Sequence, residues 1–348
     1  MKRCLFISAH YPNKMAKYAG HKSAFKILND YLERGYFVDI AIISNADEFD
    51  NNSLNELENV DVVFTEKLSV WSKVKNILFS RRFFPLKVNT RFSKKLLSFI
   101  SSNTLDYDVI HFEFTHSASI FSALKAKISP STKIVVSSHD ILTQASLRSA
   151  SNFLNYIDSV KTYQFEREIY SQIDKLIVHN AKDKALASSL FSMDEGKVEV
   201  RLPPLSDFVY SVKKQRTSDK IENALLFWGA MNRKENEDAV IKFWDLYKDL
   251  VTQKGYKLYV VGANPGRKLL DLQSDQFIVT GFLEDPSEYF IKAKIGIVPL
   301  LTGAGIKVKT LEMLEAGLPV VSTSIGAEGV SHPELYVEQV ENFFKFFK

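Results

Sequence analysis

The sequence predicts an α/β protein of two Rossmann-like domains that face a central cleft, and three observations predict it. The chain has 348 residues, which is more than one hydrophobic core usually serves. Short apolar runs alternate with amphipathic helical stretches, a pattern typical of parallel sheets with crossover helices. The pattern restarts after Pro203-Pro204, so we expect an N-terminal domain over residues 1–203 and a C-terminal domain over residues 204–348.

The first half contains five predicted strands and one clear early helix. The helix runs from about Ser23 to Arg34 and is stopped by Gly35. The strands are short, apolar and compatible with burial on both faces of a parallel sheet. They are Leu5–Ser8, Val38–Ile43, Val109–Glu113, Lys133–Ser138 and Lys175–His179.

The second half begins with a polar stretch up to Asp219, which we predict to be a linker. A helix is predicted where Val240, Phe243 and Tyr247 recur at helical spacing. Ligands in open α/β sheets bind beyond the carboxyl ends of the strands, so the residues after each strand are the candidates for a site. The predicted strands are Ala224–Trp228, Lys257–Val261, Phe277–Thr280, Ile295–Val298 and Val320–Ser322.

Composition restricts the class of protein. Hydrophobic residues make up 45% and charged residues 25%, as in ordinary globular proteins, and the net charge of +4 is too small to imply a nucleic-acid partner. The single cysteine, Cys4, excludes a disulfide within the chain and suggests a reducing compartment. No segment approaches the roughly 20 apolar residues that span a bilayer, and the apolar run after Met1-Lys2-Arg3 is too short for a signal peptide. We therefore expect a cytoplasmic protein, with any membrane contact limited to the surface.

The strongest chemical signal follows the fourth predicted strand of the second half. Gly303 and Gly305 let the backbone approach a ligand closely, and the helix that follows presents free N–H groups to an anion. Lys307 and Lys309 add two positive charges. Glu312, expected in the first helical turn, is placed to accept hydrogen bonds from two adjacent sugar hydroxyls. The sequence therefore predicts a site for a diphosphate joined to a sugar.

This segment resembles the donor-binding motif of the GT-B retaining glycosyltransferases of family 4 (glycosyl transferases group 1). It is closest to the branch whose motif reads G-x-G-[IT]-[KR]-x-K-x-L-E-[AM]. Neighbouring segments resemble the same branch. They are Phe227-Trp228-Gly229-Ala230-Met231, Asn236-Glu237-Asp238-Ala239-Val240, Val260-Val261-Gly262-Ala263-Asn264-Pro265, Val279-Thr280-Gly281-Phe282-Leu283-Glu284-Asp285 and Ser324-Ile325-Gly326-Ala327-Glu328-Gly329.

The N-terminal half resembles the family more loosely. With these matches the resemblance extends over nearly the whole chain. The matching segments are His10-Tyr11-Pro12, Gly20, Asp108-Val109-Ile110-His111, Ser138-His139-Asp140, Phe165-Glu166-Arg167 and Asp174-Lys175-Leu176-Ile177-Val178.

The resemblance implies a GT-B fold and a hexosyltransferase-type enzyme that retains anomeric configuration. It implies a nucleotide-diphosphate sugar as donor, no metal and no other cofactor, and a glycan or lipid-linked acceptor. The C-terminal domain would hold the donor and the N-terminal domain the acceptor. The biological context would be bacterial surface polysaccharide or lipopolysaccharide biosynthesis.

The resemblance also implies roles for particular donor-site residues. Glu312 would hold the ribose, and Lys307 and Lys309 would face the diphosphate. The backbone around Thr280 to Leu283, which includes the donor-site candidates Gly281 and Phe282, would border the base.

Other positions are matched less directly. Gly20 stands where the family has a glycine-rich loop. His10 and the loop from Lys14 to His21 are predicted either to touch the donor phosphates or the acceptor or to form a plain loop. Gly229 ends the first strand of the second half. Many members have an arginine at the next position, where this chain has Ala230. Arg233 or Lys234 would supply the missing positive charge, or would instead lie in a solvated turn.

One further departure concerns the transferred sugar. Many members carry two glutamates eight positions apart, and the first of them falls at Ala304 in this chain. The resemblance therefore leaves open how the hydroxyls of the sugar are held.

Three residues of the N-terminal half are candidates for catalysis. His139 follows a buried strand at the predicted ligand edge, where it would act as a hydrogen-bond donor or proton shuttle near the reacting sugar, or would instead cap the next helix. Glu113 and His116 are weaker candidates for acceptor activation. His111 is predicted to be a core residue. The Asp106-Tyr107-Asp108 run resembles a D-x-D metal motif but leads into a strand, so we interpret it as a strand-entry turn.

The segment Lys67–Lys95 has nine basic residues and no acidic one. Aromatic residues interleave with this charge. The combination suits contact with an anionic inner membrane surface or a lipid-linked acceptor, or a solvated basic face with its aromatics in the core. The aromatic residues are Trp71, Phe79, Phe83, Phe84 and Phe92.

Two other functions compete with sugar transfer. A nucleotide-sugar epimerase of GT-B-like fold would share the diphosphate site but would need acid and base carboxylates around one sugar carbon. A catalytically silent subunit that only binds the nucleotide sugar is compatible with Ala304.

Overall fold

The computed structural model describes residues 1–14, 16, 19–45, 54, 57–80, 84–102 and 106–347, except for the side chains of residues 79 and 80. The chain divides into two units, Met1–Pro204 and Leu205–Lys348. Each unit is an α/β structure around one parallel sheet, and each has its own hydrophobic clusters. The carboxyl ends of all strands in a sheet therefore meet at one edge, called here the carboxyl edge of that sheet.

The first unit contains a seven-stranded parallel sheet in the order β3-β2-β1-β4-β5-β6-β7. Along β1, Leu5 and Ile7 pack into one cluster and Cys4 and Phe6 into another, so both faces of the sheet are covered. The strands are β1 (Lys2–Ser8), β2 (Tyr36–Asn45), β3 (Val60–Leu68), β4 (Val109–Glu113), β5 (Lys133–Ser138), β6 (Lys175–Val178) and β7 (Val198–Val200).

The helices of the first unit connect these strands and cover the sheet. Two 3₁₀ turns, Thr115–Ile120 and Glu195–Lys197, add to them. The helices are α1 (Ala19–Glu33), α2 (Val70–Ser80), α3 (Leu86–Asn89), α4 (Lys94–Ser102), α5 (Phe121–Lys125), α6 (Leu142–Ser149), α7 (Phe153–Tyr170) and α8 (Ala181–Phe191).

The second unit contains a six-stranded parallel sheet in the order β10-β9-β8-β11-β12-β13. The strands are β8 (Ala224–Trp228), β9 (Lys257–Val261), β10 (Phe277–Gly281), β11 (Ile295–Val298), β12 (Val320–Ser322) and β13 (Leu335–Val337). The helices are α9 (Phe208–Gln215), α10 (Lys234–Gln253), α11 (Arg267–Leu270), α12 (Ser287–Lys292) and α13 (Val308–Glu315), with 3₁₀ turns at Ser218–Lys220 and Val340–Phe346.

The predicted linker after Pro204 is wrong for its central part, because α9 lies there. Val209 and Val212 of α9 are fully buried in a hydrophobic cluster of the second unit. Their i, i+3 spacing places both on one face of the helix, which the polar residues around them obscure in the sequence. The stretch is therefore part of the second unit.

The basic segment Lys67–Lys95 forms α2, α3 and the start of α4. Trp71 is 82% exposed, whereas Phe84 and Phe92 pack against the core. The aromatic residues of this segment are therefore divided between the surface and the core, and contact with a membrane or a lipid-linked acceptor stays a prediction. Arg81, Arg82, Phe83 and the side chain of Phe79 lie outside the described residues.

Candidate functional site

The first group of candidate residues lies at the carboxyl edge of the second sheet, between β11 and α13. Gly303 and Gly305 adopt φ values of 125° and 71°, which residues with a Cβ rarely adopt. Lys307 folds back over this turn, and its Nζ donates to the carbonyl oxygens of Ala304 (3.0 Å) and Gly305 (2.7 Å). Glu328 lies 3.8 Å from the same Nζ. The turn thus holds an ammonium group beside the free N–H groups of a helix start, an arrangement that attracts anions.

Lys309 lies next to this turn with its ammonium end enclosed. Its Nζ donates to Asn236 Oδ1 and lies 4.6 Å from the centre of the Phe227 ring. A Cβ on Gly229 would stand 2.9 Å from that Nζ, so the absence of a side chain there gives the ammonium group its room. Burial, with a smaller contribution from Arg233, lowers the pKa of Lys309 to about 7.

We expect the enclosed Lys309 to make stability depend on pH. Its folded-state pKa of about 7 lies below the ordinary value, so between pH ~7 and ~10 the unfolded chain holds a proton that the folded chain has released. Raising the pH through this window therefore increases the free energy of unfolding, by about 1.4 kcal/mol for each unit of pKa depression. Below pH ~7 Lys309 is protonated in both the folded and the unfolded chain, so the folded state is destabilised by the full cost of burying its charge.

The measurement is urea unfolding of the wild type and of Lys309→Met across this pH range. The variant lacks the titrating group, so its unfolding free energy relative to the wild type should fall as the pH rises. A difference that stays constant from pH ~6 to ~10 would show that the ammonium group is solvated.

Glu312 is the fifth residue of α13, so the prediction that it lies in the first helical turn is wrong by one position. The residue is 5% exposed. Its Oε1 accepts from the backbone N–H of Ser206 (3.0 Å) and its Oε2 accepts from Nε1 of Trp228 (2.6 Å). Each carboxylate oxygen has a second lone pair, so these two bonds orient the group and leave capacity for sugar hydroxyls.

Sequence reasoning gave no role to Trp228, Ser206 or Asn236, which hold the predicted residues in place. Trp228 packs edge-on against Phe208 and Phe290, which fixes the direction of its indole N–H. The only available signal was position: Trp228 ends a strand, and Asn236 belongs to a segment that resembles the family.

The remaining donor-site candidates lie at the same edge of the second sheet. Gly281 ends β10 with a φ of 73°, and Phe282 follows it with 54% of its surface exposed. Lys234 begins α10, and Arg233 directly precedes it. The guanidinium of Arg233 is mostly exposed and lies 3.9 Å from Glu235. An exposed cation thus follows the strand next to β11, and an exposed aromatic ring follows the edge strand β10 of the same sheet.

The second group of candidates lies at the carboxyl edge of the first sheet, around a buried carboxylate. Glu113 ends β4 with no exposed surface, and it accepts hydrogen bonds from Nε2 of His139 (2.7 Å) and Nε2 of His111 (2.9 Å). Burial alone would raise the pKa of Glu113, but the two imidazoles outweigh it and hold the pKa at about 2. The carboxylate therefore stays ionised and fixes the orientation of His139, as an acidic residue orients a catalytic histidine.

His111 is a core residue, as predicted. Its ring is fully buried and stacks on Phe6 with centroids 4.8 Å apart. The Tyr31 hydroxyl donates to its Nδ1 (3.0 Å), and burial lowers the pKa of the imidazole. A neutral His111 therefore serves as a structural link between α1 and Glu113.

The ring of Phe114 supports His139 from one side. The two rings stack with centroids 3.9 Å apart, and Phe114 adopts a φ of 69°, a strained conformation for a residue with a Cβ. Gly20 lies against both, since a Cβ there would stand 3.2 Å from Phe114 and 4.0 Å from Nδ1 of His139. Because Nε2 of His139 bonds Glu113, Nδ1 beside Gly20 is the ring nitrogen left to meet a ligand. Met15, Lys17 and Tyr18 of the same loop lie outside the described residues.

His116 and His10 complete this aromatic layer. His116 stacks on Phe114 at 5.5 Å, and His10 meets the same ring edge-on at 4.6 Å. Burial lowers the pKa of His116 well below its usual range, so this imidazole is neutral near pH 7. His116 therefore lies near His139 as a neutral group.

A second buried carboxylate, to which sequence reasoning assigned no role, fixes the loop that carries His139. Glu166 of α7 accepts from the backbone N–H groups of Leu142 and Thr143 (both 2.8 Å), which begin α6. It also accepts from the hydroxyls of Thr143 (2.6 Å) and Tyr170 (3.1 Å). Burial raises the pKa of Glu166 to about 7 against the effect of these bonds. Glu166 thus caps α6 from another helix.

Within the described residues, no group of three or more His, Cys, Asp or Glu side chains is arranged to hold a metal ion. Asp106-Tyr107-Asp108 directly precedes β4, and Asp108 accepts from the backbone N–H of Arg3 (2.7 Å). That run therefore lies at the amino end of the strand, opposite His139. None of the helices in the described part of the chain is long and apolar enough to cross a bilayer.

One family match and the fold support a class for this protein. Residues 222–345 match the family model described as Glycosyl transferases group 1. The two parallel-sheet domains have the GT-B fold. Nearly the whole chain is similar in structure to solved GT-B glycosyltransferases. These findings together support a GT-B glycosyltransferase.

Among individual proteins, the chain is similar to an uncharacterized 44.6 kDa protein in the cps region of Klebsiella pneumoniae. The two are 24% identical over 342 residues, which cover 94% of this chain and 84% of that protein. Sucrose-phosphate synthase from Thermosynechococcus elongatus has a similar structure, with a TM-score of 0.66, 13% identity and coverage of 99% and 88%.

Two further solved structures share the fold. WaaG, a glycosyltransferase involved in lipopolysaccharide biosynthesis, has a TM-score of 0.66 and 16% identity over 99% of this chain and 90% of its own. Anabaena HepE in complex with UDP and glucose has a TM-score of 0.59 and 13% identity over 99% and 88%.

Proposed function

We propose that this protein is a retaining glycosyltransferase of family 4 that moves a hexose from a nucleotide-diphosphate sugar to an acceptor hydroxyl. The observation that carries the proposal is the carboxyl edge of the second sheet, where Lys307, Lys309 and Glu312 surround the start of α13. The ammonium group of Lys307, the adjacent amine of Lys309 and the helix N–H groups suit a diphosphate, and an oriented carboxylate suits the ribose. The binding of UDP and UDP-glucose by the structurally similar HepE supports a donor of this class.

In the proposed mechanism, departure of the nucleotide diphosphate is assisted by the charges around the glycine turn. Negative charge grows on the leaving phosphate in the transition state, and Lys307 and the helix N–H groups stabilise it without a metal. The acceptor hydroxyl attacks from the same face and gives its proton to the leaving phosphate. His139, held by ionised Glu113, contributes a hydrogen bond or a proton relay near the reacting sugar.

We propose a glycan or lipid-linked acceptor and a role in surface polysaccharide or lipopolysaccharide biosynthesis, at the inner face of the membrane. The cps region that encodes the Klebsiella relative and the lipopolysaccharide role of WaaG support this context. In this proposal the basic segment Lys67–Lys95 contacts the membrane surface, and the protein remains peripheral.

The proposal is tested first by ligand stabilisation. Nucleoside diphosphates with each of the common bases are added to the purified chain and the melting temperature is followed, since a ligand at 100 times its Kd stabilises the folded state by about 2.7 kcal/mol. One base should stabilise the wild type and fail to stabilise Lys307→Ala. Absence of stabilisation by every nucleotide would overturn the proposal.

Turnover then separates transfer from its competitors. The matching nucleotide sugar is incubated with and without candidate acceptors, and products are identified by mass and by anomeric configuration. A retained glycoside supports the proposal. A new isomer formed from donor alone would indicate the epimerase, and nucleotide binding without turnover on any acceptor would indicate the silent subunit that Ala304 permits.

A further inference from the structure

The helical hairpin formed by α6 and α7 in the first unit carries an exposed apolar end that neither group of site residues uses. Five of the first eight residues of α7 are apolar and exposed, and Phe153 and Leu154 reach 77% and 61%. Leu147 of α6 adds a 49% exposed side chain. Soluble monomers rarely expose apolar patches larger than a few hundred Å², and larger patches mark interaction sites. The five residues of α7 are Phe153, Leu154, Tyr156, Ile157 and Val160.

The hairpin projects beyond the carboxyl edge of the first sheet. Glu166 meets the backbone of Leu142, only four residues after β5 ends, so Glu166 lies close to the level of that edge. Phe153 precedes Glu166 by 13 positions, which corresponds to about 20 Å along a helix. Buried residues of α7 begin only at Ser159. The exposed apolar end thus lies beyond the edge that carries His139.

Helices with strong positive charge adjoin this end. The backbone N–H of Leu86, at the start of α3, donates to Asp158 of α7 (2.9 Å), and α2 packs against α3. The chain from Lys67 to Leu105 has nine basic residues and no acidic one. On α2, Trp71 is 82% and Leu78 is 76% exposed.

A cavity of about 170 Å³ lies beside α2 in this basic region. Lys75, Lys94 and Lys95 line it, together with Ser72, Asn76 and Glu66. The carboxylate of Glu66 is engaged by the hydroxyl of Ser93. Three lysine residues that line one cavity give it positive charge, which suits the phosphate of a lipid headgroup.

We propose that the α6–α7 hairpin and α2 dock on an anionic phospholipid bilayer. The apolar end of the hairpin and Trp71 enter the interfacial layer, and the lysines of α2 and α4 meet lipid phosphates. A second copy of the chain suits this surface less well, because a two-fold contact would bring the same basic segments together. The inference rests on the proposed function only in that docking would bring His139 to a lipid-linked acceptor.

The experiment is vesicle flotation of the full chain with phosphatidylcholine alone and with equal parts of phosphatidylcholine and phosphatidylglycerol. The wild type should bind the mixed vesicles and bind phosphatidylcholine much less. The double variant Phe153→Ser/Leu154→Ser should bind the mixed vesicles at least about tenfold less, because two large apolar side chains no longer enter the bilayer. The matched control is Leu246→Ser/Leu270→Ser, which changes two exposed leucines of the second unit (42% and 48%) and should bind like the wild type.

Tryptophan emission gives a second readout. The chain has three tryptophans, and Trp71 is by far the most exposed. Mixed vesicles should shift the emission of the wild type to shorter wavelength, and Trp71→Phe should lose that shift.

Three results would overturn the docking proposal. The first is a wild type that does not bind mixed vesicles. The second is a Phe153→Ser/Leu154→Ser variant that binds these vesicles like the wild type. The third is the same unchanged vesicle binding together with a dimer, seen by light scattering, that the variant dissociates, which would make this surface a contact between two copies. Stabilisation by a nucleoside diphosphate is measured on the same variant and should be unaffected. Vesicle binding without any nucleotide binding would refute the proposed function and leave the docking intact.

Discussion

Replacing Glu312 with alanine is expected to weaken binding of the preferred nucleoside diphosphate by at least about 100-fold. In the proposed complex the carboxylate accepts two hydrogen bonds from ribose hydroxyls, and hydrogen bonds to a charged group contribute about 1.5–3 kcal/mol each. Two such bonds correspond to a factor of about 10² to 10⁴ in Kd. Isothermal titration with the nucleotide that stabilises the wild type most is the direct measurement.

The buried position of Glu312 makes a folding control necessary. Alanine also removes the acceptor for Ser206 N–H and Trp228 Nε1–H, and a buried donor left unpaired costs about 1–3 kcal/mol. We therefore expect a lower melting temperature with an unchanged circular dichroism spectrum at 25 °C. Glu315→Ala is the matched control, since that carboxylate belongs to the same helix but pairs with Lys213 at the surface. Wild-type affinity in Glu312→Ala would show that the ribose lies elsewhere.

The second large effect is expected for His139→Ala, which should lower kcat by about 10² to 10⁴ and leave nucleotide affinity nearly unchanged. The range is that of a lost acid–base or hydrogen-bonding group in the transition state. The expectation rests on its Nε2 being held by ionised Glu113, which leaves Nδ1 beside Gly20 as the nitrogen available to the substrate. The measurement is kcat together with the Kd of the nucleotide.

Two comparisons make the His139 result specific. His332→Ala changes an exposed histidine of the second unit and should leave kcat unchanged. Glu113→Gln keeps the shape of the side chain but removes the anion that orients His139. This variant should therefore show a large part of the kcat loss seen in His139→Ala. A loss of nucleotide affinity as large as the loss of kcat in His139→Ala would place this residue in donor binding instead of the reacting centre.

The sequence predicted those elements whose signal is local. Strands such as β8 and β11 are continuous apolar runs because both faces of a parallel sheet are covered, and their predicted bounds match the structure. β3 was missed because it is an edge strand in which Asp61 and Lys67 alternate with apolar residues. β7 and β13 were missed; both are three-residue edge strands whose side chains are mostly unburied, in contrast to the fully buried β12 of the same length.

The same distinction applies to the candidate sites. The glycine turn and its lysines were found because they are contiguous in sequence. The Trp228–Glu312 and Glu166–Leu142 contacts were not found, because they join residues 84 and 24 positions apart and depend on tertiary packing. The enclosure of Lys309 was missed for the same reason, since Phe227 and Asn236 approach it from other elements.

The capping of α6 by Glu166 has a consequence for local motion. The amides of Leu142 and Thr143 belong to the first turn of a helix, where N–H groups ordinarily have no partner within the helix and exchange rapidly with solvent deuterium. Because a fully buried carboxylate of α7 accepts from both, these two amides should exchange as slowly as those of the central strands. The segment between β5 and α6, which carries His139, would then undergo local unfolding as rarely as the core does.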